Sequence, residues 1–146
     1  MSRIKHLARR FRGSLSRRPP ADADEAWVRS VLLAAEVELW SQMTPVDRRH
    51  SIEVAQRFSS LRPASTRDEL AGALLHDVGK LESGLGIWGR VAATVVGPRT
   101  RRFRTYHDHE RIGAEWLAGR GSSPSTVELV RGHGPAAADL RRADDI

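Results

Sequence analysis

The chain has 146 residues, 40% of them hydrophobic and 29% charged, which is the make-up of one soluble globular domain with a real core. It contains no cysteine, so disulfides and thiolate ligands are excluded and any metal must be held by nitrogen and oxygen. The net charge of +6 is unevenly spread: residues 1–20 carry seven Lys or Arg and no acid, while the following sixty residues carry seven basic and ten acidic groups.

The basic excess therefore sits in an N-terminal arm. There Ile4, Leu7, Phe11 and Leu15 fall at helical spacing among Arg and Lys. Such a segment suits an anionic membrane surface or nucleic-acid phosphates through residues 1–18, and equally a solvated tail. Ser14 to Asp24, with Pro19-Pro20, reads as a linker. No apolar run reaches the length of a membrane span and no secretory core is visible, so the expected location is the cytoplasm, with a peripheral membrane contact through the arm left open.

From about Asp24 to Met43, Trp27, Val31, Leu32, Ala35 and Leu39 keep helical register and predict one helix. Thr44-Pro45-Val46-Asp47 starts another, with Thr44 as cap and Pro45 in the first turn, running to about Leu61. Ser65-Thr66-Arg67-Asp68 resembles a capping box and opens a third helix over about 66–78, with Gly79 as a left-handed stop. Gly84, Gly86 and Gly89 predict a loop, after which Val91–Val96 suits a short helix or a strand. Arg99, Arg101, Arg102 and Arg104 form a basic connection. Further helices are predicted over about 107–119, 124–133 and 136–144. Helix follows helix, so the fold class is all-α, a compact helical bundle carrying a basic N-terminal arm.

The histidines single out a site. His50 shares a face with Val46, Val54 and Phe58; His109 with Ile112, Gly113 and Trp116; His133 with Leu129 and Val130. His76 and Asp77 end the apolar run Ala73-Leu74-Leu75. His6 lies on the arm, and His107 is out of phase with the inward face. One imidazole on an apolar stripe is ordinarily a hydrogen-bonded core residue. Four on separate helices, one beside a carboxylate, would be costly to bury without a shared partner, and a divalent cation is such a partner. Asp144 supplies a late carboxylate, with Asp145 as its adjacent competitor.

The order His50, His76-Asp77, His109, His133, Asp144 resembles the HD-domain metal-dependent phosphohydrolase superfamily, and Leu74-Leu75-His76-Asp77-Val78-Gly79-Lys80 is similar to its central motif. The resemblance runs from about Thr44 to the C-terminus and implies an HD-type helical domain over 22–146, its motifs within 44–146. Gly132-His133-Gly134-Pro135 does not reproduce the Gly-Tyr-Pro motif of the cyclic-dinucleotide branch. The resemblance implies one or two divalent ions (Mn, Fe, Co, Ni or Zn). His50, His76, Asp77 and Asp144 would hold the first, and Asp77, His109 and His133 would share in the second. Asp77 and Lys80 are the implied catalytic residues, with Lys80 meeting a substrate phosphate. Arg90 and the Arg99–Arg104 cluster are further candidates for phosphate contacts, since guanidinium matches phosphate geometry. The implied reaction is hydrolysis of a nucleotide or other small phosphate ester. An HD-type module that binds a nucleotide for regulation without turnover is the alternative.

Overall fold

The computed structural model describes residues 18–83 and 108–145. The arm, the predicted segments between 84 and 107, and with them His6, Arg90, the Arg99–Arg104 cluster and His107 lie outside the described residues. The described residues form helices α1 (Asp22–Val31), α2 (Ala34–Ser41), α3 (Pro45–Leu61), α4 (Arg67–Leu75), α5 (His109–Gly119), α6 (Pro124–Val130) and α7 (Ala137–Asp144). A 3-10 turn over Val78–Ser83 follows α4. No strand occurs among the described residues, and the all-α expectation holds.

The single helix expected over 24–43 is two. Leu32 and Leu33 both take extended backbone angles, and the second helix starts afresh at Ala34. The cause is Glu36, whose carboxylate accepts from the Leu33 amide at 2.8 Å and so fills one of the orphan donors of a new helix end. Leucine is a poor cap by itself, which is why the break is invisible to a capping rule. Glu36 is fully buried and also meets Arg67 at 3.1 Å and the Ser122 hydroxyl at 2.7 Å. One carboxylate thus ties α2 to the start of α4 and to the loop before α6.

The other starts follow local chemistry. The Thr44 hydroxyl accepts from Asp47 N at 3.1 Å with Pro45 in the first turn. Thr66 and Glu69 form a reciprocal capping box, 3.2 and 3.0 Å, with Glu69 rather than Asp68 as the reaching residue. Ser123 caps α6 ahead of Pro124.

Helices α3, α4 and α6 enclose the core. Phe58, Leu74, Leu75 and Val130 pack there with Val28 and Trp40, whose indole N–H donates to Ser51 Oγ at 2.9 Å. The small residues of α4 allow a close approach: a Cβ on Gly72 would stand 2.9 Å from Leu129 Cδ2. Helix α7 lies along α3, and α5 packs on the 3-10 turn.

Gly79 is the second departure. Helix α4 stops at Leu75, His76 keeps helical angles as its cap, and the positive-φ glycines among the described residues are Gly121, Gly132 and Gly134. Gly79 serves proximity, because a Cβ there would overlap the backbone carbonyl of His109 and stand 2.8 Å from Gly113 N. That contact presses the turn carrying Asp77 and Lys80 against the start of α5.

Candidate metal centre

Four elements converge at one end of the bundle. Helix α3 brings His50, the end of α4 brings His76 and Asp77, the first turn of α5 brings His109, and the last residue of α7 brings Asp144. His50 Nε2 lies 3.0 Å from Asp144 Oδ1, and His76 Nε2 lies 3.5 Å from the same oxygen. The ligand atoms of these three residues all fall within 4.8 Å of one another. Asp77 stands beside the trio, with Oδ2 3.3 Å from His76 Nε2 and 3.0 Å from Lys80 Nζ, and Oδ1 3.5 Å from His109 Nε2.

The decisive atom is His76 Nε2. It is buried and makes no hydrogen bond, while Nδ1 is committed to the Ala73 carbonyl at 2.7 Å. With Nδ1–H donated to a backbone carbonyl, Nε2 is the nitrogen that faces the two carboxylates, where a metal ion would take the place of the proton that these carboxylates otherwise favour. Two ligands each about 2.1 Å from one ion stand about 3.0–3.4 Å apart. The separations around His76 match that spacing, so the nitrogen and oxygen donors present fit a divalent transition ion, and their chemistry does not choose among Mn, Fe, Co, Ni and Zn.

The electrostatics agree. Burial by itself disfavours a charged His76, but Asp77 and Asp144 outweigh it and raise the imidazole to about 10. Burial pushes the Asp77 carboxyl up, yet His76, Lys80 and His109 hold it well below the usual carboxylate range. Asp144 is likewise lowered, its burial outweighed by the hydrogen bond with His50 and by the nearby charge of His76. Concentrated negative charge facing imidazole nitrogens is a cation's environment.

A cleft of about 150 Å³ opens over His76, Asp77 and Asp144. Lys80, His109, Glu110 and Arg141 stand around it, and Leu129, Val130, Ala137 and Leu140 give it an apolar wall. Against this geometry, the profile described as HD domain matches residues 48–142. The chain belongs to the HD domain family. No curated protein and no solved structure gave a match. The match spans His50 through most of α7 and stops short of Asp144, which the tertiary structure brings to the site.

Within this HD domain the expected residues divide. His50, His76, Asp77, Lys80, His109 and Asp144 come together. Asp144 rather than Asp145 faces His50; Asp145 is exposed as the cap of α7. His133 does not look inward. Its side chain is 64% exposed, with Nδ1 4.0 Å from Glu128 Oε2. Helix α6 ends at Val130, Gly132 turns left-handed at φ 87°, and His133 N bonds back to Glu128 O at 2.9 Å. This is a Schellman-type stop, and it ends the helical register that would point His133 inward.

Two residues around the cleft escape a reading of histidine phase. Glu110 adjoins His109, and Arg141 precedes Asp144 by one helical turn. A third, Arg57, donates Nε–H to Ala143 O at 2.9 Å from the face of α3 that carries His50. The signal for Arg57 is its spacing of seven residues from His50.

Proposed function

We propose that this HD domain is a metal-dependent phosphohydrolase acting on a nucleotide or another small phosphate ester. The observation that carries the reading is the buried His76 Nε2, stripped of hydrogen bonds and facing two carboxylates. His50, His76 and Asp144 would hold an ion, with Asp77 completing its shell and reaching toward His109. A divalent ion held there supplies Lewis-acid activation of water and neutralises charge on a phosphoryl oxygen.

The chain's own residues account for the rest. The Ala73 carbonyl keeps the His76 proton on Nδ1 and the ring orientation fixed. Lys80, drawn to Asp77 at 3.0 Å, places an ammonium beside the site, where it can meet a phosphate oxygen as the substrate enters. His109, on the far oxygen of Asp77, orients that carboxylate and is a candidate second-ion ligand. Leu129, Val130 and Leu140 limit water on one wall of the cleft, which strengthens every charge interaction inside it.

The test is elemental analysis of the tag-free protein with a phosphate-ester hydrolysis screen, repeated for Asp77→Ala. Bound transition metal and metal-stimulated turnover, both lost in Asp77→Ala with helix content kept, support the reading. Turnover unchanged in Asp77→Ala refutes it. Tight nucleotide binding without product, across several metals, would mark a binding module instead.

A further inference from the structure

The cleft has a second cation that the ion site leaves unused. Arg141 and Asp144 are one turn apart on α7, so both side chains leave the same face, and both line the cleft. Arg141 is exposed and its Nη1 donates to Gly132 O, another residue of the cleft, at 3.4 Å, a long bond that leaves most of the guanidinium's donors available. No carboxylate among the described residues lies within ion-pair distance of it. Its surroundings differ from those of the other basic groups nearby. Lys80 is drawn to Asp77 at 3.0 Å, and Arg142 is turned outward, 68% exposed and 3.7 Å from Asp139. Glu110, the carboxylate on the same rim, lies against the backbone of Gly132.

We propose that Arg141 is the residue that seats a phosphate group of the substrate at the mouth of the cleft. The proposal rests on the phosphohydrolase reading and names the group that recognises its substrate class. A guanidinium offers paired N–H donors at the spacing of two phosphate oxygens, so it orients the anion where an ammonium supplies a point charge. Its bond to Gly132 O holds the side chain at the cleft, and the length of that bond lets a phosphate replace it.

The test titrates inorganic phosphate into the full chain, metal-free and after metal loading, for wild type, Arg141→Gln and Arg142→Gln. The Arg141 side-chain N–H resonance and the dissociation constant are read by NMR, and metal content is measured separately. Arg141→Gln is expected to weaken phosphate binding about tenfold, Arg142→Gln to leave it within about twofold, and both to keep wild-type metal content. Equal affinity in Arg141→Gln and wild type overturns the proposal. So does an equal loss in Arg142→Gln, which would mean a diffuse basic surface, or an absence of phosphate binding by the wild type. A wild type that takes up no metal defeats the ion-site reading while leaving the phosphate comparison intact.

Discussion

His50 and Asp144 are 94 residues apart in the chain, and His50 Nε2 stands 3.0 Å from Asp144 Oδ1. One lies in the second turn of α3 and the other ends α7, so the contact exists only once the two helices lie side by side. Replacing Asp144 with alanine should cut metal affinity about 100-fold or more, because a ligand outranks the supporting groups worth 10–100-fold. Asp145→Ala should leave it unchanged. Calorimetric titration of the two variants decides which aspartate serves the ion.

Arg57 grips the same end of α7. Its Nε–H fills the Ala143 carbonyl, one of the orphan acceptors of a helix C-terminus, where a cation is also favoured. Arg57→Met should therefore weaken metal binding about tenfold by letting Asp144 drift. Arg57→Lys should recover part of the loss. The same substitution in an Asp144→Ala background should cost almost nothing further, since the ligand it positions is gone. An undiminished effect in the double variant would assign Arg57 to general stability.

Gly79→Ala tests the packing of the turn on α5. The added methyl overlaps a backbone carbonyl, which cannot swing away as a side chain does. The expected loss of stability is at least about 2 kcal/mol, with metal binding impaired because Asp77 and His109 are forced apart. Denaturant unfolding beside a metal titration measures both. Gly119→Ala is the control, since nothing lies near its Cβ position.

The metal-free protein should lose stability toward alkaline pH. The folded state raises His76 to about 10, against about 6.5 in an unfolded chain. A raised pKa means a contribution complete below about 6.5 and lost progressively as pH climbs to the folded value. Asp77 and Asp144, both lowered, act in the opposite sense: their contribution is present above about 3.9 and fades as pH falls. Urea unfolding from pH 4 to 10 should show a plateau followed by a decline above neutrality. That alkaline decline should disappear in His76→Gln.

Much of the helical layout is legible in local chemistry, because caps and apolar phase act within a few residues. Thr44, Thr66 and Ser123 mark helix starts where hydroxyls accept amide protons, and the His76-Asp77 pair stands out because an apolar run seldom ends on two ionisable groups. Two of the failures depend on contacts between segments far apart in the chain, and the third on a local helix stop. The break at Leu32–Leu33 depends on a carboxylate held by Arg67 and Ser122, the role of Gly79 on a carbonyl from α5, and the exposure of His133 on how Gly132 stops α6.

The chain by itself therefore determined the all-α class and a donor set of imidazoles and carboxylates without thiolate. Only the tertiary structure decided which donors meet. It chose Asp144 over Asp145 and set Arg141 beside the cleft. Helical periodicity gives the face a side chain leaves from, whereas a binding site depends on distances between faces. Those distances are fixed by close packing across helices far apart in sequence.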